Sequence, residues 1–291
     1  GLTAAYELVK AGERPYLIEP GPIGGMIRSV QRDGFTLEMG PNVLVSRPDL
    51  RDIISEVGLA EEVCSPGIPT YGQYVWCHGR IHRVPNRFIK LLASPLFDLG
   101  AKLSLPFKVL FPGILPRSED DYSVSDFFTP LIGTRAVDSL LDPVLKGIYG
   151  GDTAELSARS LFPGLWSAAQ SGRSIAGYMR GRARGGKAQI VVIRGGIQTL
   201  TDRLWSAVAP HVNYIPRRTD RIVPAEGGRR FKILIHGGEQ LDVDGCVLTT
   251  AGRNSAPLVS YLDEDLCTQL QNLRCASLSV IHLRVSRSAP L

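Results

Sequence analysis

The chain opens with a helical pattern that leads directly into a short apolar strand ending in an acid. Residues 2–11 carry apolar side chains at helical spacing, and Gly12 is placed to end the helix. Residues 16–19 read as a buried strand that ends at Glu19. Gly1 fits the last glycine of a Gly-x-Gly-x-x-Gly turn, where a helix N-terminus faces a pyrophosphate and the acid bonds a ribose. The pattern predicts an α/β, Rossmann-like domain, and Glu19 favours FAD or NAD over NADP.

The same motif predicts that the chain is a fragment. The first strand of the unit and the earlier glycines of its turn should precede Gly1, where the sequence begins. We therefore expect the 291 residues on their own to be inactive, and to bind FAD weakly or aggregate.

Two glycine-containing segments follow the acid, at 24–28 and 40–42. Paired glycines let a second stretch of backbone close over a pyrophosphate, and an arginine beside them can supply a cation. The alternative for that arginine is a surface salt bridge. The candidate cofactor-binding residues of the two segments are Gly24, Gly25, Met26, Arg28, Gly40, Pro41 and Asn42.

Composition indicates a soluble globular chain, with 44% hydrophobic and 21% charged residues. No uninterrupted apolar run is long enough to predict a spanning helix. The net charge of +5 fits a carboxylate substrate or anionic lipid as partner, or simply a solvated surface. We expect no nucleic-acid partner.

Metal binding is not expected. The five cysteines are scattered and form no Cys-x-x-Cys pair, which fits a reducing compartment. Cys77, His78 and His82 are near one another in sequence, but no acidic ligand accompanies them.

The order of predicted elements indicates two interleaved domains. We expect hairpins within 31–38 and 70–86, a strand at 245–250 buried on both faces, and a strand at 277–285. The expected divisions are a first FAD-binding part at 1–63, a substrate-domain hairpin at 64–86, a helical region at 87–187, a second FAD-binding part at 188–256, and a truncated substrate-domain sheet at 257–291.

Glu19 together with 24–28 and 40–42 resembles the FAD-dependent amine oxidase superfamily. The stretches 142–152, 155–166 and 172–175 are similar to the oxygen-dependent protoporphyrinogen oxidase family within it. Residues 194–200 match that family's return into the flavin domain.

This resemblance implies an oxidoreductase of haem synthesis in which FAD takes hydride from a porphyrinogen and O2 is reduced to H2O2. It places Gly147 beside the reacting ring, where a helix stop is the alternative role, and Asp220 where the family contacts adenine through the main chain. Propionate binding is expected from Arg80, Arg83 or Arg87, since Cys77 occupies the position aligned with the propionate-binding arginine of some members.

Residues 87–116 mix large apolar side chains with lysines, and their only acid is Asp98. This resembles an interfacial segment on anionic lipid, with a pair of core helices as the alternative. We expect a cytoplasmic protein held peripherally on the inner face of a bacterial cell membrane. A eukaryotic location and a homodimer are left open.

Other substrates and functions are also left open. Coproporphyrinogen III could replace protoporphyrinogen IX, and the chain could be another amine oxidase or a carotenoid desaturase. A flavin-free escort protein of the same fold is the non-enzymatic alternative.

Overall fold

The computed structural model describes residues 1–66, 73–77, 79–84, 90, 94–183, 189–225 and 230–286. The chain divides into two compact units. Unit 1 comprises 1–66, 188–275 and 279–291, and unit 2 comprises 67–187 and 276–278. Each has an apolar core of its own.

Unit 1 is a mixed α/β unit built from short strands and five helices among its described residues. Its helices are α1 (Leu2–Lys10), α2 (Pro48–Glu56), α10 (Gln198–Val208), α11 (Gly252–Val259) and α12 (Glu264–Asn272). Its strands are β1 (Tyr16–Ile18), β2 (Ser29–Arg32), β3 (Phe35–Glu38), β4 (Leu44–Ser46), β5 (Val63–Cys64), β8 (Gln189–Ile193), β9 (Asn213–Ile215), β10 (Thr219–Pro224), β11 (Phe231–Ile235) and β12 (Gln240–Val243).

The strands of unit 1 form four small sheets. β1 pairs with β9 in parallel, with Leu17 opposite Tyr214. The other three are antiparallel: the β2–β3 hairpin, the order β4–β8–β5, and the meander β10–β11–β12. The helix-to-strand unit that the sequence predicts is therefore present, and the 31–38 hairpin prediction is confirmed.

The opening helix is held against α10 by its apolar face. Ala5 is buried with Val208 and Val212, while Leu2 and Tyr6 pack partly buried beside them. Burial of this face, rather than helix propensity, stabilises a helix this short. The same packing fixes the position of Gly1, the N-cap residue of this helix, within unit 1.

Unit 2 is mostly helical. Its described helices are α3 (Leu99–Leu110), α4 (Val124–Ile132), α5 (Thr134–Ala136), α6 (Asp142–Tyr149), α7 (Ala158–Leu161), α8 (Pro163–Gln170) and α9 (Ile175–Ala183), with a π-helical turn at Val137–Leu141. One hairpin, β6 (Gln73–Cys77) with β7 (Arg80–Val84), confirms the hairpin expected within 70–86.

Aromatic side chains form the centre of the unit 2 core. Phe127 is fully buried and stacks on Trp166 with ring centroids 5.4 Å apart. Phe128 meets Phe162 edge to face at 4.9 Å. Val75 of the hairpin is buried in the same cluster, so one face of the hairpin belongs to this core.

Two expected strands do not form, which also corrects the sheet expected at 257–291. Residues 245–249 and 273–286 take part in no strand ladder in the described part of the chain, and residues 252–272 are mainly the helices α11 and α12. Val247 is 64% exposed and Ile281 is 79% exposed, so neither stretch is buried on both faces. An apolar pattern assigns side chains to faces, but a ladder also needs the N–H and C=O groups of a neighbouring strand.

Among the described helices, none combines the length and the apolar character needed to cross a membrane. All five cysteines are free thiols.

Candidate functional site: a dinucleotide half-site in unit 1

The predicted turn residue and the predicted acid lie close together. Gly1 is the N-cap residue of α1, with its carbonyl accepting from the Ala5 N–H at 3.0 Å, and Glu19 directly follows β1. The Glu19 carboxylate interacts electrostatically with the Gly1 end of α1. A Cβ at Gly1 would lie 3.2 Å from Thr249 Oγ1, which leaves little room for a side chain there.

The Glu19 carboxylate is oriented by the backbone that follows it. Its Oε1 accepts a hydrogen bond from the Gly21 N–H at 2.8 Å. The Glu19 N–H donates to Ile215 O at 3.1 Å, which extends the parallel pairing of β1 and β9. No described residue donates to the second carboxylate oxygen, Oε2, which can therefore accept from a ribose hydroxyl.

The paired glycines adopt backbone conformations that other residues rarely take. Gly24 has φ +92° and Gly25 has φ +59°. A Cβ at Gly24 would lie 2.8 Å from Thr201 Oγ1, because the loop packs directly on the buried Thr201 of α10. The glycine is thus required both by its φ and by the close approach of the helix.

The second glycine segment packs against the first. A Cβ at Gly40 would collide with the Met26 carbonyl oxygen, and the Met39 N–H donates to Arg28 O at 2.8 Å. The structure therefore brings 24–28 and 40–42 together. Pro41 and Asn42 lie exposed in the turn between β3 and β4.

Arg28 is exposed, and no carboxylate in the described residues forms an ion pair with its guanidinium. The salt-bridge alternative for this residue is not observed. An unpaired guanidinium beside a glycine turn is suited to an anionic oxygen of a ligand.

Asp220 is held by neighbours on its own sheet. Its carboxylate lies 3.0 Å from Arg218 Nε and 3.1 Å from His236 Nδ1. Desolvation raises the pKa of Asp220, but the hydrogen bonds and charges of His236 and Arg218 outweigh it and keep the pKa below its ordinary value. This side chain is committed to protein contacts, which leaves its main chain for any adenine contact.

Glu19, Gly24, Gly25, Arg28 and Gly40, which we call the half-site, fit a dinucleotide such as FAD. Glu19 presents a free carboxylate oxygen, the glycines form a cradle that a Cβ would fill, and Arg28 offers an unpaired cation. The donor set matches a ribose and a pyrophosphate, which are the polar parts that such a site must hold.

Gly147 lies in α6 of unit 2, and it does not end the helix. The helix continues to Tyr149, and Gly150 caps it in the left-handed conformation with φ +69°. A Cβ at Gly147 would meet no described atom within 4 Å, so packing against the described residues does not require a glycine there. The helix-stop alternative is therefore wrong.

A polar network fastens α6 to the loop that follows it. Lys146 Nζ donates to Asp142 Oδ2 at 2.7 Å and lies 3.1 Å from Asp152 Oδ2, while Thr153 Oγ1 donates to Asp142 Oδ1 at 3.1 Å. The hydrogen bonds to Asp142 and then Asp152 raise the pKa of Lys146. The Ala154 N–H and then Lys146 lower the pKa of Asp152. The network fixes the end of the helix that carries Gly147.

The hairpin separates two of the arginines expected to bind propionates. Arg80 pairs with Cys77 and Arg83 with Tyr74, so the two arginines point to opposite faces. Arg87, the third, lies outside the described residues. The expected cluster is therefore not formed by Arg80 and Arg83 side by side.

In the described part of the chain, no three His, Cys, Asp or Glu side chains are grouped so that they could hold a metal ion.

Several residues that shape the half-site are not among the candidates predicted from the sequence. Gly21 orients Glu19, Thr201 supports Gly24, and Glu38 connects β3 to α10. Only Glu38 carries a local signal, an acid just before a Gly-Pro turn. The other two contacts depend on which segments meet in space.

One protein family matches almost the whole chain, and several curated proteins are similar to it. The chain matches the family described as flavin containing amine oxidoreductase over residues 1–290. Coproporphyrinogen III oxidase of Bacillus subtilis (strain 168) is 25% identical over 97% of this chain and 64% of its own length. Protoporphyrinogen oxidase of Bos taurus is 31% identical over 70% of this chain and 48% of its own length. The chain thus spans about half to two thirds of the length of these relatives.

Solved structures show the same fold. The crystal structure of a protein from Exiguobacterium sp. 255-15 matches with a TM-score of 0.73 and 24% identity, covering 92% of this chain and 61% of that one. Cyclohexylamine oxidase from Brevibacterium oxydans IH-35A matches with a TM-score of 0.61 and 17% identity, covering 93% and 60%. The chain therefore belongs to the flavin-containing amine oxidoreductases, and its cofactor is FAD.

Proposed function

We propose that the protein oxidises protoporphyrinogen IX to protoporphyrin IX in haem synthesis, with O2 as the electron acceptor and H2O2 as the product. The observation that carries this proposal is the agreement of relatives that match most of the chain. The Bacillus relative matches 97% of it and the bovine relative 70%, and both are named as porphyrinogen oxidases.

The half-site in unit 1 would hold the cofactor. The free oxygen of Glu19 would accept from a ribose hydroxyl, the Gly24–Gly25 turn would admit the pyrophosphate, and Arg28 would neutralise part of its charge. FAD, when bound, accepts hydride from the substrate and passes the electrons to oxygen. The remaining task of the protein is to bind and orient a flat apolar macrocycle that carries carboxylates.

Gly147 is proposed as a place where the substrate ring approaches the protein backbone. A glycine in a helix costs about 0.5–1 kcal/mol relative to alanine. Among the described residues of unit 2, none packs against this position to compensate for the cost. A close approach by a ligand would account for it.

Arg83 is proposed as the propionate-binding residue, in preference to Arg80. Arg83 shares its hairpin face with Tyr74, Trp76 and Ile81, which are 52%, 66% and 67% exposed. Aromatic and apolar side chains with one cation suit a flat apolar anion. Arg80 instead lies on the face that buries Val75 in the core.

Coproporphyrinogen III is the second candidate substrate. The specific observation in its favour is that the relative matched over 97% of the chain is a coproporphyrinogen III oxidase. This substrate carries more propionates, and one arginine beside the exposed apolar face does not distinguish the two.

Peripheral attachment to an anionic membrane is also proposed, through α3. Its outward residues Leu99, Leu103, Phe107 and Leu110 follow one another at spacings of three or four and form an apolar stripe. The C-cap residue Phe111 extends this stripe, and all five side chains are at least 60% exposed. Ala101 and Leu105 on the other side are buried in the core. Lys108 donates to Pro130 O at 2.8 Å, so the apolar stripe rather than this lysine would make the main contact with lipid.

The full-length protein, purified with excess FAD, tests the proposal directly. We expect a flavin absorbance band at about 450 nm and oxygen uptake when a porphyrinogen is added. Rates on protoporphyrinogen IX and coproporphyrinogen III, measured side by side, decide between the two substrates. Peroxide release from amines but from neither porphyrinogen would contradict the proposed substrate class.

A further inference from the structure

The β2–β3 hairpin is fastened to the start of α10 by one carboxylate. Glu38 Oε1 accepts from the Ile197 N–H at 2.9 Å, and Glu38 Oε2 accepts from Ser29 Oγ at 2.6 Å. Ser29 Oγ in turn accepts from the Gln198 N–H at 3.1 Å, and Gln198 Oε1 accepts from the Ser29 N–H at 2.9 Å. We call this set, Ser29, Glu38, Ile197 and Gln198, the hairpin clamp.

The clamp replaces the ordinary cap of α10. This helix has no side-chain cap of its own at Ile197. The amide groups at a helix start lack partners within the helix. Here Glu38 accepts from the amide of the N-cap residue Ile197, Ser29 accepts from the amide of Gln198, and the positive end of the helix dipole favours the carboxylate. Glu38 is half-buried and shared between two donors, so its position is defined by both the hairpin and the helix.

The turn before α10 leaves no room for an alternative arrangement. Gly196 is buried with φ +107°, and a Cβ there would collide with the Ser29 side chain. Gln31 Nε2 also donates to Gly195 O at 3.0 Å, so the hairpin contacts the turn on both sides of the clamp.

The clamp lies next to both glycine segments of the half-site. Ser29 directly follows Arg28, and Glu38 stands two residues before Gly40. The two segments bond to each other through the Met39 N–H and Arg28 O at 2.8 Å. A shift of the hairpin relative to α10 would therefore move Arg28 and Gly40 relative to Gly24, which packs on Thr201 of the same helix.

We propose that Glu38 is a positioning residue for the flavin: without touching FAD, it fixes the 24–28 and 40–42 segments in the arrangement that binds the dinucleotide. This inference rests on the proposed flavin-dependent function. The role is geometric, since the same carboxylate bonds the helix start and the hairpin.

The test measures FAD affinity of the full-length protein by fluorescence titration. Glu38→Ala removes both bonds, and we expect the dissociation constant for FAD to rise about 10- to 100-fold, as for lost hydrogen bonds to a charged group. Glu38→Gln can accept from Ile197 and donate to Ser29 Oγ, so we expect its affinity to return to within about threefold of the unchanged protein. At saturating FAD, the circular dichroism of the bound flavin should change in Glu38→Ala and not in Glu38→Gln.

Glu56→Ala is the matched control. Glu56 lies in the same unit and also accepts from two side chains, Tyr6 at 2.9 Å and Lys10 at 2.8 Å, but these lie toward the end of α1 away from Gly1. We expect a lowered melting temperature with unchanged FAD affinity. Ser29→Ala is the milder second variant, which keeps the Glu38–Ile197 bond, and its affinity should fall by roughly threefold.

Equal FAD affinity in Glu38→Ala and the unchanged protein would overturn the inference. An equal loss of FAD affinity in Glu38→Ala and Glu56→Ala would also overturn it. The loss of affinity would then follow from general destabilisation, which the lowered melting temperatures of both variants would show. Absence of FAD binding by the unchanged protein and by Glu56→Ala would instead overturn the proposed function itself.

Discussion

Glycines occupy several candidate site positions of this chain, and the structure explains some of them by backbone conformation and packing but not others. Gly24 and Gly196 are required by their positive φ and by side chains that approach closely. Gly147 is required by neither, because it lies within a helix and faces open space. As proposed above, the constraint at Gly147 is assigned to a ligand.

Gly147→Ala should therefore make the protein more stable and less active. We expect an increase of about 0.5–1 kcal/mol in the free energy of unfolding, from the helix propensity of alanine. Porphyrinogen oxidation should fall about tenfold or more, since a small displacement of a reacting group costs this much. Thermal unfolding and oxygen uptake measure the two effects.

Gly181→Ala is the control for this prediction. Gly181 is also helical, is also followed by two further helical residues, and also has nothing within 4 Å of a Cβ position. It should give a similar gain in stability with unchanged oxidation. Full activity in Gly147→Ala would contradict a role for this glycine in substrate approach.

At the scale of elements, α3 has one face buried in the unit 2 core and one face exposed. Asp98 caps its N-terminus by accepting from the Ala101 N–H at 2.6 Å, and Leu105 is buried in the unit 2 core. The opposite face exposes Leu103 and Phe107, at 66% and 65%. Core packing therefore explains one face of the helix, while the other remains available to a lipid surface.

Leu103→Glu should weaken membrane binding. Replacing a large apolar side chain at a lipid interface by a carboxylate removes apolar burial and adds repulsion from anionic headgroups. We expect the partition coefficient onto phosphatidylglycerol-containing vesicles to fall about tenfold or more. Sedimentation with vesicles gives the measurement.

Met179→Glu provides the same change of charge at a different site of unit 2. Met179 lies on α9 and is 58% exposed. Its variant should bind vesicles like the unchanged protein. If both variants lose binding equally, general charge repulsion is responsible and the stripe on α3 is not the contact surface.

At the scale of the whole molecule, the candidate cofactor residues and the candidate substrate residues belong to different units. Glu19, Arg28 and Gly40 lie in unit 1, whereas Gly147 and Arg83 lie in unit 2. The cores are also separate, with Leu59 fully buried in one and Phe127 in the other. Ligand binding to the first set should thus stabilise unit 1 directly.

FAD at a hundred times its dissociation constant should stabilise the protein by about 2.7 kcal/mol. Hydrogen exchange should slow most at 21–28 and 39–42, where the two glycine segments meet. The comparison is full-length protein with and without FAD. Slowed exchange in the β10–β11–β12 meander, with no change at these loops, would place the cofactor elsewhere.

Short-range features of the fold were predictable because they depend on neighbouring residues. Both hairpins and the helix-to-strand opening follow from periodicity and turn residues, and the structure confirms them. The strands expected at 245–250 and 277–285 were wrong, since apolar alternation does not supply a pairing partner. The hairpin register places Arg80 and Arg83 on opposite faces. The burial of Val75 then shows which of the two faces packs on the core and which is exposed.

The sequence by itself predicted a dinucleotide cofactor, because Gly1, Glu19 and the paired glycines follow the order of such a site, and the resemblance to the FAD-dependent amine oxidases implied FAD. Only the tertiary structure decided how that site is held together. Glu38 and Ile197 are far apart along the chain, and no local sequence pattern predicts the hydrogen bond between them. The physical reason is that periodicity encodes which face a residue presents, whereas the partner it meets depends on how distant segments pack.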